Sequence, residues 1–430
     1  MLYIFLIILF LYFIIPSNKI KFRIINFKNY VIPMSIILVL ILLIIFSEDA
    51  FSSAQNGLFL WFNNVVPSLL PFLMCLEILK STNIFDFIGK LLEPIIRPVF
   101  NIPGSGVFAV IMGMCSGYPV GAKFAASLRE TNQCSLVEGE RLLAFTNTSG
   151  PLFIISAVGI GMFKNSKIGL LLLITHFIAA LLVGIVFRFY KKYASTNSFT
   201  RNEISKINQE NASKSKKNNR SNTLNLSHLG SIMGESIRNS ISTLLLICGF
   251  ITFFCVFSTM LDKSGITDLI TRFICNIFSY FGYQENIITS LSAGCFKGIF
   301  EITNGLKILS TSYVGYNILL PVVATILGFG GISVHMQVAS IISSTDLSLK
   351  PYILGKSLHG IFAGIITYLV ITYTNFFNLE TVETFSSIVS NSIIDYNDSP
   401  FMISGDLLII GITCIILILL IRLLYKKVHI

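Results

Sequence analysis

Two short polar inserts interrupt hydrophobic sequence in the first half of the chain: GMCSGYPVGAK at residues 113–123 and FTNTSGPLF at residues 145–153. Both contain glycine and proline, which break helices and free backbone N–H and C=O groups. In a bilayer such groups find no water, so a broken helix is tolerated only where protein buries it or a cavity solvates it. In transporters these breaks mark binding sites. We therefore predict that the inserts form half of a substrate site in an integral membrane transporter.

The composition places the chain among membrane proteins. Of its 430 residues, 53% are hydrophobic and 12% are charged, which is about half the charged share of an ordinary soluble domain. Several apolar runs approach the ~20 residues that a bilayer-spanning helix needs. The net charge of +10 lies mostly in hydrophilic segments beside these runs, where topology and anionic lipid headgroups explain it. The lipid bilayer is thus a predicted partner, and nucleic acid is not.

Hydrophobic and hydrophilic segments divide the chain into five parts. They are an N-terminal pair of transmembrane helices (1–50), a first Gate-like repeat (51–190), a basic linker (191–230), a second such repeat (231–374), and an acidic outer loop with a C-terminal transmembrane helix (375–430). The linker is rich in Ser, Asn and Lys, so it cannot bury a core and is predicted to be disordered and cytoplasmic.

The two repeats show the same order of elements: a span, an amphipathic stretch, a glycine-broken insert, a broken span and a final span. The predicted bounds in the first repeat are 58–79, 84–100, 103–129, 138–163 and 168–190. Those in the second are 236–261, 265–281, 293–307, a span broken at 328–337, and 352–373. Further spans are predicted at 2–15, 31–46 and 407–424. Lys123 corresponds to Lys307 and Gly150 to Gly331, with offsets of 184 and 181 residues. The chain therefore contains an internal repeat.

An odd number of crossings in each repeat places the second repeat upside down relative to the first. The predicted fold class is an all-α polytopic membrane protein with two inverted-topology repeats, each with a re-entrant hairpin and a broken transmembrane helix. This arrangement is common in secondary transporters with sites near the membrane midplane. Lys164 and Lys167 conflict with the orientation, because they fall in a loop that it places outside.

Candidate substrate-binding residues in the first repeat lie at the two inserts. They are Gly117, Tyr118, Pro119, Lys123, Asn147, Ser149 and Gly150. A half-helix that starts at Pro151 points its positive end at the break, and the Asn and Ser side chains offer neutral donors and acceptors. A lysine at membrane depth costs about 2.5–3.5 kcal/mol, so it usually faces a cavity or a partner. A proline kink satisfied by neighbouring helices is the alternative that stays open.

The second repeat offers a matching set of candidates. They are Lys297, Glu301, Thr303, Asn304, Gly331, Ser333, His335 and Gln337. Glu301 either pairs with a lysine for structure, or couples to a proton while the lysines attract an anionic substrate. His335 either relays protons or binds substrate, or it is satisfied by a helix neighbour. His176 and His359 have no break beside them and are predicted to be structural.

Patterns typical of catalysis are missing from the sequence. It has no nucleotide-binding GxxxxGK[ST] loop, no HExxH zinc motif and no GxSxG nucleophile elbow. The eight cysteines form no CxxC pair and do not lie near histidine at ligand spacing, so neither a disulfide framework nor a metal site is predicted. We predict that the chain is not an enzyme and has no cofactor.

Four motifs occur in a fixed order: SGYPVGAK (116–123), RLLAFTNTSGPLF (141–153), EITNGLK (301–307) and GGISVHMQ (330–337). Through them, residues 51–373 resemble the sporulation integral membrane proteins of the YlbJ (SpoVV) type, which contain nucleoside-recognition (Gate) domains. The resemblance implies a multi-pass protein of the outer forespore membrane, which belongs to the mother cell. It also implies a role in moving dipicolinic acid towards the forespore.

Dipicolinic acid is a small planar aromatic molecule with two carboxylates. Helix N-termini and Lys123, Lys297 or Lys307 suit its carboxylates, and Tyr118 or Phe153 suits its ring. The same groups suit other small organic anions. Two alternatives stay open: a nucleoside transporter, and a non-transporting membrane scaffold needed for spore-envelope assembly. The oligomeric state is also open, and a homo-oligomer is compatible with the sequence.

Overall fold

The computed structural model describes residues 33–34, 36–80, 84–191, 226–279 and 285–374. These ranges are helical with short connections and contain no strand, which confirms the predicted all-α class. Within them, four helices are long and apolar enough to cross a membrane, or up to six if each of two bent pairs counts as one span. The predicted span at 2–15, linker residues 192–225 and everything after Thr374 lie outside the described residues.

Helices α1–α9 precede the linker. They are α1 (Ile36–Ile45), α2 (Ser47–Leu60), α3 (Val66–Lys80), α4 (Ile84–Phe100), α5 (Val107–Ser116), α6 (Val120–Glu130), α7 (Leu136–Thr146), α8 (Leu152–Met162, a π-helix) and α9 (Ser166–Phe187). α4 has the bounds predicted for the amphipathic stretch. Its exposed residues Phe87, Leu91 and Ile95 recur every four positions, a pattern typical of a helix that lies in a membrane interface.

Helices α10–α16 follow the linker. They are α10 (Leu226–Lys263), α11 (Ile266–Ser279), α12 (Glu285–Phe300), α13 (Ile302–Ser310), α14 (Tyr316–Phe329), α15 (Gly331–Ile342) and α16 (Leu349–Tyr373). α10 begins inside the segment predicted to be a disordered linker, so that prediction extends too far. Leu226, Leu229 and Met233 recur at helical spacing in the sequence, which favours an earlier start for the helix.

The predicted span at residues 58–79 starts too late. α2 and α3 are joined by a π-turn, Trp61–Val65, so one helical run extends from Ser47 to Lys80. Pro67 and Pro71 have no N–H to donate to the helical ladder. Local widening of the ladder into π-turns is one way in which a helix accommodates such a loss. The prolines therefore distort this run without ending it.

The two predicted breaks differ from each other more than the sequence indicates. Between α7 and α8, residues 147–150 leave the helix. Between α14 and α15 only Gly330 does so, at φ +89°, and the helix resumes at Gly331 with φ +71°. The predicted break over 328–337 is therefore too long. Two glycines in the left-handed region end one helix and start the next without an extended segment.

The described helices bury two hydrophobic cores. The first surrounds α5–α7 and includes Phe187 near the end of α9, Ile342 at the end of α15 and Tyr352 near the start of α16. The second surrounds α8, α13 and α14 and includes Ile168 near the start of α9 and Ala363 in the second half of α16. α9, α15 and α16 thus run from one core into the other. Polar residues on these helices lie where the cores meet.

A forked ion pair joins the two halves of the chain outside the spans. Arg129 at the end of α6 donates from Nε to Asp346 Oδ1 and from Nη2 to Asp346 Oδ2, both at 2.8 Å. Ser344 Oγ adds a hydrogen bond to Glu130 Oε1 at 2.7 Å. The hydrogen bonds from Arg129 hold the pKa of the Asp346 carboxyl below its usual value. The charged form of Asp346 is therefore the one that stabilises the fold.

We expect Asp346→Asn to lower the melting temperature of the purified protein by about 2 °C at pH 7, because an exposed pair contributes at most about 1 kcal/mol. Because the pKa of Asp346 is lower in the folded state than in the unfolded state, the pair contributes its full stability at pH values above the unfolded pKa. This contribution is lost as the pH falls through the folded pKa. The difference between variant and wild type should therefore shrink below about pH 4. An equal difference at pH 7 and pH 3 would contradict this account. Because Arg129 also donates from Nη1 to Cys134 O at 3.1 Å, Asp346→Asn should add little to Arg129→Met, although Arg129→Met should cost more by itself.

Candidate functional site

The tip between α5 and α6 packs directly on the first break, and glycine makes this approach possible. Gly117 has φ +85°, and a Cβ there would lie 2.5 Å from Gly150 N. A Cβ on Gly113 would overlap Thr146 O, the last carbonyl of α7. Thr148 Oγ1 donates to Gly113 O at 3.0 Å. Protein therefore covers the freed backbone of this break, as the cost of exposing it to lipid requires.

The second hairpin packs on the second break. A Cβ on Gly331 would lie 3.1 Å from Gly298 O and 3.4 Å from Phe300 O, at the end of α12. Glu301 joins α12 to α13 and caps α13, because its carboxylate accepts from Asn304 N at 2.8 Å. Each pair of short helices thus meets the helix break that follows it in the chain.

α16 brings a lysine to the first break. Lys356 is fully buried, and its Nζ donates to Asn147 O at 3.0 Å and to Tyr118 OH at 3.1 Å. Its Cε would lie 3.4 Å from a Cβ on Gly330, so the side chain also borders the second break. Among the described residues, none of the ion pairs includes Lys356. The amine has hydrogen-bond partners there but no counter-charge.

Two tyrosines flank this amine. Tyr118 OH donates to Leu327 O at 2.9 Å, and its ring centroid is 5.0 Å from the lysine nitrogen, which allows a cation–π contact. Tyr352, one turn before the lysine on α16, is also fully buried. Its OH accepts from Asn147 Nδ2 at 3.1 Å, and its ring meets that of His335 edge to face at 5.1 Å. Flat aromatic surfaces therefore lie beside the buried amine.

Two histidines continue the hydrogen-bonded chain. His359 Nε2 lies 2.9 Å from His176 O, and Nε2 must carry the proton because a carbonyl oxygen only accepts. Nδ1 of His359 is then the acceptor for Lys356 Nζ at 3.0 Å. His176 Nε2 accepts from Ser149 N at 3.0 Å, and the two imidazole centroids are 4.3 Å apart. The lysine, both histidines and the first break therefore form one network.

We call this network the Lys356 cluster. Its members are Tyr118, Asn147, His176, His335, Tyr352, Lys356 and His359. Within the part of the chain that the structure describes, the buried polar atoms in or beside it that have no hydrogen-bond partner include Ser116 Oγ, Asn147 Oδ1, His176 Nδ1 and His335 Nε2. Buried polar atoms are nearly always paired, so unpaired ones indicate a ligand or water. An anion would accept hydrogen bonds from Ser116 Oγ and His176 Nδ1 and supply a counter-charge to the amine, whereas Asn147 Oδ1 and His335 Nε2 are acceptors that need a donor.

Lys123 is not part of this cluster. Its Nζ pairs with Glu77 Oε1 at 3.1 Å and donates to Thr243 Oγ1 at 2.8 Å, so it joins α6 to α3 and α10. It lines a cavity of about 440 Å³ together with Glu130 and Thr243. The amine of Lys123 therefore binds partners on α3 and α10, although the sequence predicts a place for this residue at the first break.

The charged candidates of the second hairpin also have other partners. Lys297 Nζ pairs with Asp262 Oδ2 at 2.5 Å, and Lys307 is exposed. No described ion pair includes Glu301, whose carboxylate caps α13 instead, so of the two alternatives for Glu301 the pair with a lysine is not found among the described residues. Among the described residues, no group of three His, Cys, Asp or Glu side chains could hold a metal ion.

The remaining candidates fall into two groups. Those at or beside the breaks and the hairpin tips are Gly117, Tyr118, Pro119, Asn147, Ser149, Gly150, Glu301, Thr303, Asn304 and Gly331. Those inside α15 are Ser333, His335 and Gln337, all of them buried. His335 Nδ1 donates to Gly331 O at 2.6 Å, which is the contact with a helix neighbour expected as one alternative. Its Nε2 is the atom left unpaired.

Lys356 and Tyr352 are not among the candidates predicted from the sequence. His176 and His359 are predicted only as structural residues. Lys356 and His359 lie in GKSLHG, residues 355–360, inside an otherwise apolar span. A lysine and a histidine three residues apart share one face of a helix. Ionisable residues inside a membrane span indicate function by default. This signal is present in the sequence, but it lies outside the helix breaks on which the prediction rests.

Comparisons with known proteins give one family and one relative. The family model Gate, described as "Nucleoside recognition", matches residues 62–192. The chain is 38% identical over 326 residues to the "Sporulation integral membrane protein YlbJ" of Bacillus subtilis (strain 168), which covers 75% of this chain and 78% of that protein. No solved structure matches.

Proposed function

The chain belongs to the YlbJ family of sporulation integral membrane proteins, and we propose that it is a secondary transporter of a small organic anion. The observation that carries this proposal is the buried Lys356 amine, which touches the first helix break and has no counter-charge among the described residues. Burying an unpaired charge is costly. An anionic substrate that supplies the missing charge is therefore bound most strongly at this point.

We also propose that the two repeats are inverted. Corresponding helices α6/α13, α7/α14, α8/α15 and α9/α16 begin at offsets of 182, 180, 179 and 183 residues. Asp346 follows α15 and pairs with Arg129, which precedes α7. Phe163 after α8 and Val314 before α14 belong to one core. The end of each broken span thus lies near the start of the other, which supports opposite directions in the membrane.

In the first repeat, short helices support the proposal of a re-entrant hairpin. α5 has 10 residues and α6 has 11. At 1.5 Å per residue each spans about 15 Å, roughly half of the ~30 Å hydrocarbon core. Two such helices joined by a tight tip enter and leave on the same side of the membrane. The tip then lies near the midplane, beside the break that it covers.

Dipicolinate is the substrate that we propose, because the family resemblance implies it and its chemistry suits the Lys356 cluster. One carboxylate would meet the Lys356 amine, and the ring would lie against Tyr118 or Tyr352. The second carboxylate or the ring nitrogen would reach unpaired atoms such as His176 Nδ1. The corresponding location is the outer forespore membrane. A nucleoside is the second candidate, favoured by the description of the family model, but a neutral nucleoside leaves the amine without a counter-charge.

Uptake into proteoliposomes tests the proposal. Purified full-length protein should accumulate labelled dipicolinate over protein-free vesicles, and an excess of unlabelled dipicolinate should compete while uridine should not. Saturable uridine uptake without dipicolinate uptake would favour the nucleoside carrier. Flux of neither compound under any imposed gradient would favour the scaffold, whose function should then depend on the linker at residues 191–230 rather than on Lys356.

A further inference from the structure

We propose that Lys356 is a tethered cation that takes the place of a coupling metal ion, so that transport is driven by protons carried on its amine. The inference rests on the proposed function, since it names the ion that moves with the substrate. The observation that supports it is the position of Lys356 Nζ beside the first helix break.

The position is one where a coupling ion is expected. Backbone carbonyls freed by a broken helix coordinate Na⁺ or H⁺ in transporters of this architecture. Here Asn147, the first residue of the break, directs its carbonyl oxygen to Lys356 Nζ at 3.0 Å. Tyr118 OH at 3.1 Å and His359 Nδ1 at 3.0 Å complete the set. These three acceptors match the three donors of an ammonium group.

The surroundings leave the charge of this amine free to change. The titratable groups near it are Tyr118 from the first hairpin tip, His176 from α9, His335 from α15, and Tyr352 and His359 from α16 itself. None of these is a carboxylate. Lys356 takes part in no described ion pair, so no acidic residue there fixes its proton. A bound anion is the group that would hold the proton on the nitrogen.

Both charge states keep the same three neighbours of Lys356 Nζ, but the neutral state gives up the hydrogen bond from Tyr118 to Leu327 O. As an ammonium, Lys356 donates to all three acceptors while the Tyr118 hydroxyl donates to Leu327 O at 2.9 Å. As a neutral amine it keeps two donors, to Asn147 O and His359 Nδ1, and its lone pair accepts from the Tyr118 hydroxyl after that hydroxyl rotates. The switch therefore needs one rotation about a C–O bond and no movement of the helices.

The cycle balances in protons, and with dipicolinate, which has two carboxylates, each turnover also carries one net negative charge across the membrane. The empty site holds a neutral amine. Loading takes one anion and one proton from the same side. The proton forms the ammonium, and a carboxylate of the anion replaces the Tyr118 hydroxyl as acceptor for one of its three N–H groups. The anion and the proton are both released on the other side. The amine is then neutral again, and the empty site can return to its starting state. One proton therefore moves with each anion in the same direction.

The test uses proteoliposomes whose membrane potential is clamped at zero with valinomycin and equal potassium. An external pH one unit below the lumen should drive about tenfold accumulation of dipicolinate, since one proton per turnover contributes about 1.4 kcal/mol per pH unit. Replacing external sodium by choline should leave the flux unchanged. Dipicolinate flux that ignores the pH gradient or needs sodium would overturn the inference and leave the proposed function intact. No dipicolinate flux at all would overturn both.

A charge-locked variant separates this mechanism from a merely structural lysine. Arginine does not lose its proton in a protein, so whatever exchange of labelled for unlabelled dipicolinate Lys356→Arg retains should no longer be accompanied by pH-driven accumulation. Lys350→Met, an exposed lysine on the same helix, should keep both. Full pH-driven accumulation by Lys356→Arg would contradict the inference. If that variant does not fold, the response of wild-type protein to the pH gradient decides alone.

Discussion

Lys356→Met is expected to lower the initial rate of dipicolinate uptake by about 100-fold. Removing one partner of a buried charge pair costs about 2–5 kcal/mol, and each 1.4 kcal/mol is a factor of ten. Methionine has a similar length and apolar stem, so it fills the space while removing the charge. It leaves Asn147 O and His359 Nδ1 without their donor. The measurement is labelled uptake into proteoliposomes that contain equal amounts of folded protein.

Two controls make this result specific. Lys350→Met removes a lysine from an exposed position on the same helix and should leave the uptake rate unchanged. Thermal unfolding in detergent, followed by size-exclusion chromatography, should show that Lys356→Met remains folded. Uptake by Lys356→Met within about twofold of wild type would show that the amine is a packing feature only.

Gly113→Ala should have the largest effect on stability, with a loss of about 3 kcal/mol and a melting temperature lower by roughly 5 °C. The new Cβ would overlap Thr146 O and lie 3.2 Å from Gly121 Cα. Both neighbours are backbone atoms that no side-chain rotation can move away. The hairpin tip would be displaced from the break, so Tyr118 and Asn147 would no longer hold the Lys356 amine together. Transport should be lost even at temperatures where the protein is folded.

Gly249→Ala is the matched control for this prediction. Gly249 lies in α10, and a Cβ there would have no atom within 4 Å. Since alanine favours a helix over glycine by about 1 kcal/mol, the variant should melt at the same or a higher temperature. If Gly113→Ala and Gly249→Ala behaved alike, the close approach of α5 to α7 would not be required.

Hydrophobic length and helix-breaking residues explain why much of the fold can be predicted. The polar run around Asn147 and the tip at Gly117 are marked by glycine and proline, and the structure breaks the helices there. The predicted helix bounds are wrong where a residue type is compatible with two backbone conformations. Pro67 suggests a kinked span of ordinary length, but the helix widens into a π-turn and continues from Ser47. Gly330 marks a break correctly but does not show that the break is one residue long.

The candidate site is less predictable because it depends on tertiary contacts. Asn147 and Tyr118 are found from the breaks, whereas their partner Lys356 lies 209 and 238 residues further along the chain. Nothing in the local sequence links these positions. Lys123 illustrates the opposite case, since its place beside a hairpin tip suggests a site although its amine pairs with Glu77. Whether each lysine reaches the site depends on the direction of its side chain. This direction cannot be read from spacing along the sequence.

Equilibrium binding to purified protein tests the central claim, that the Lys356 cluster is an anion site, most directly. Labelled dipicolinate would be titrated onto detergent-solubilised wild type, Lys356→Met and Lys350→Met. We predict saturable binding by wild type and Lys350→Met with equal affinity, and binding weaker by about 100-fold in Lys356→Met. Equal binding by all three variants, or no binding by the wild type, would contradict the claim.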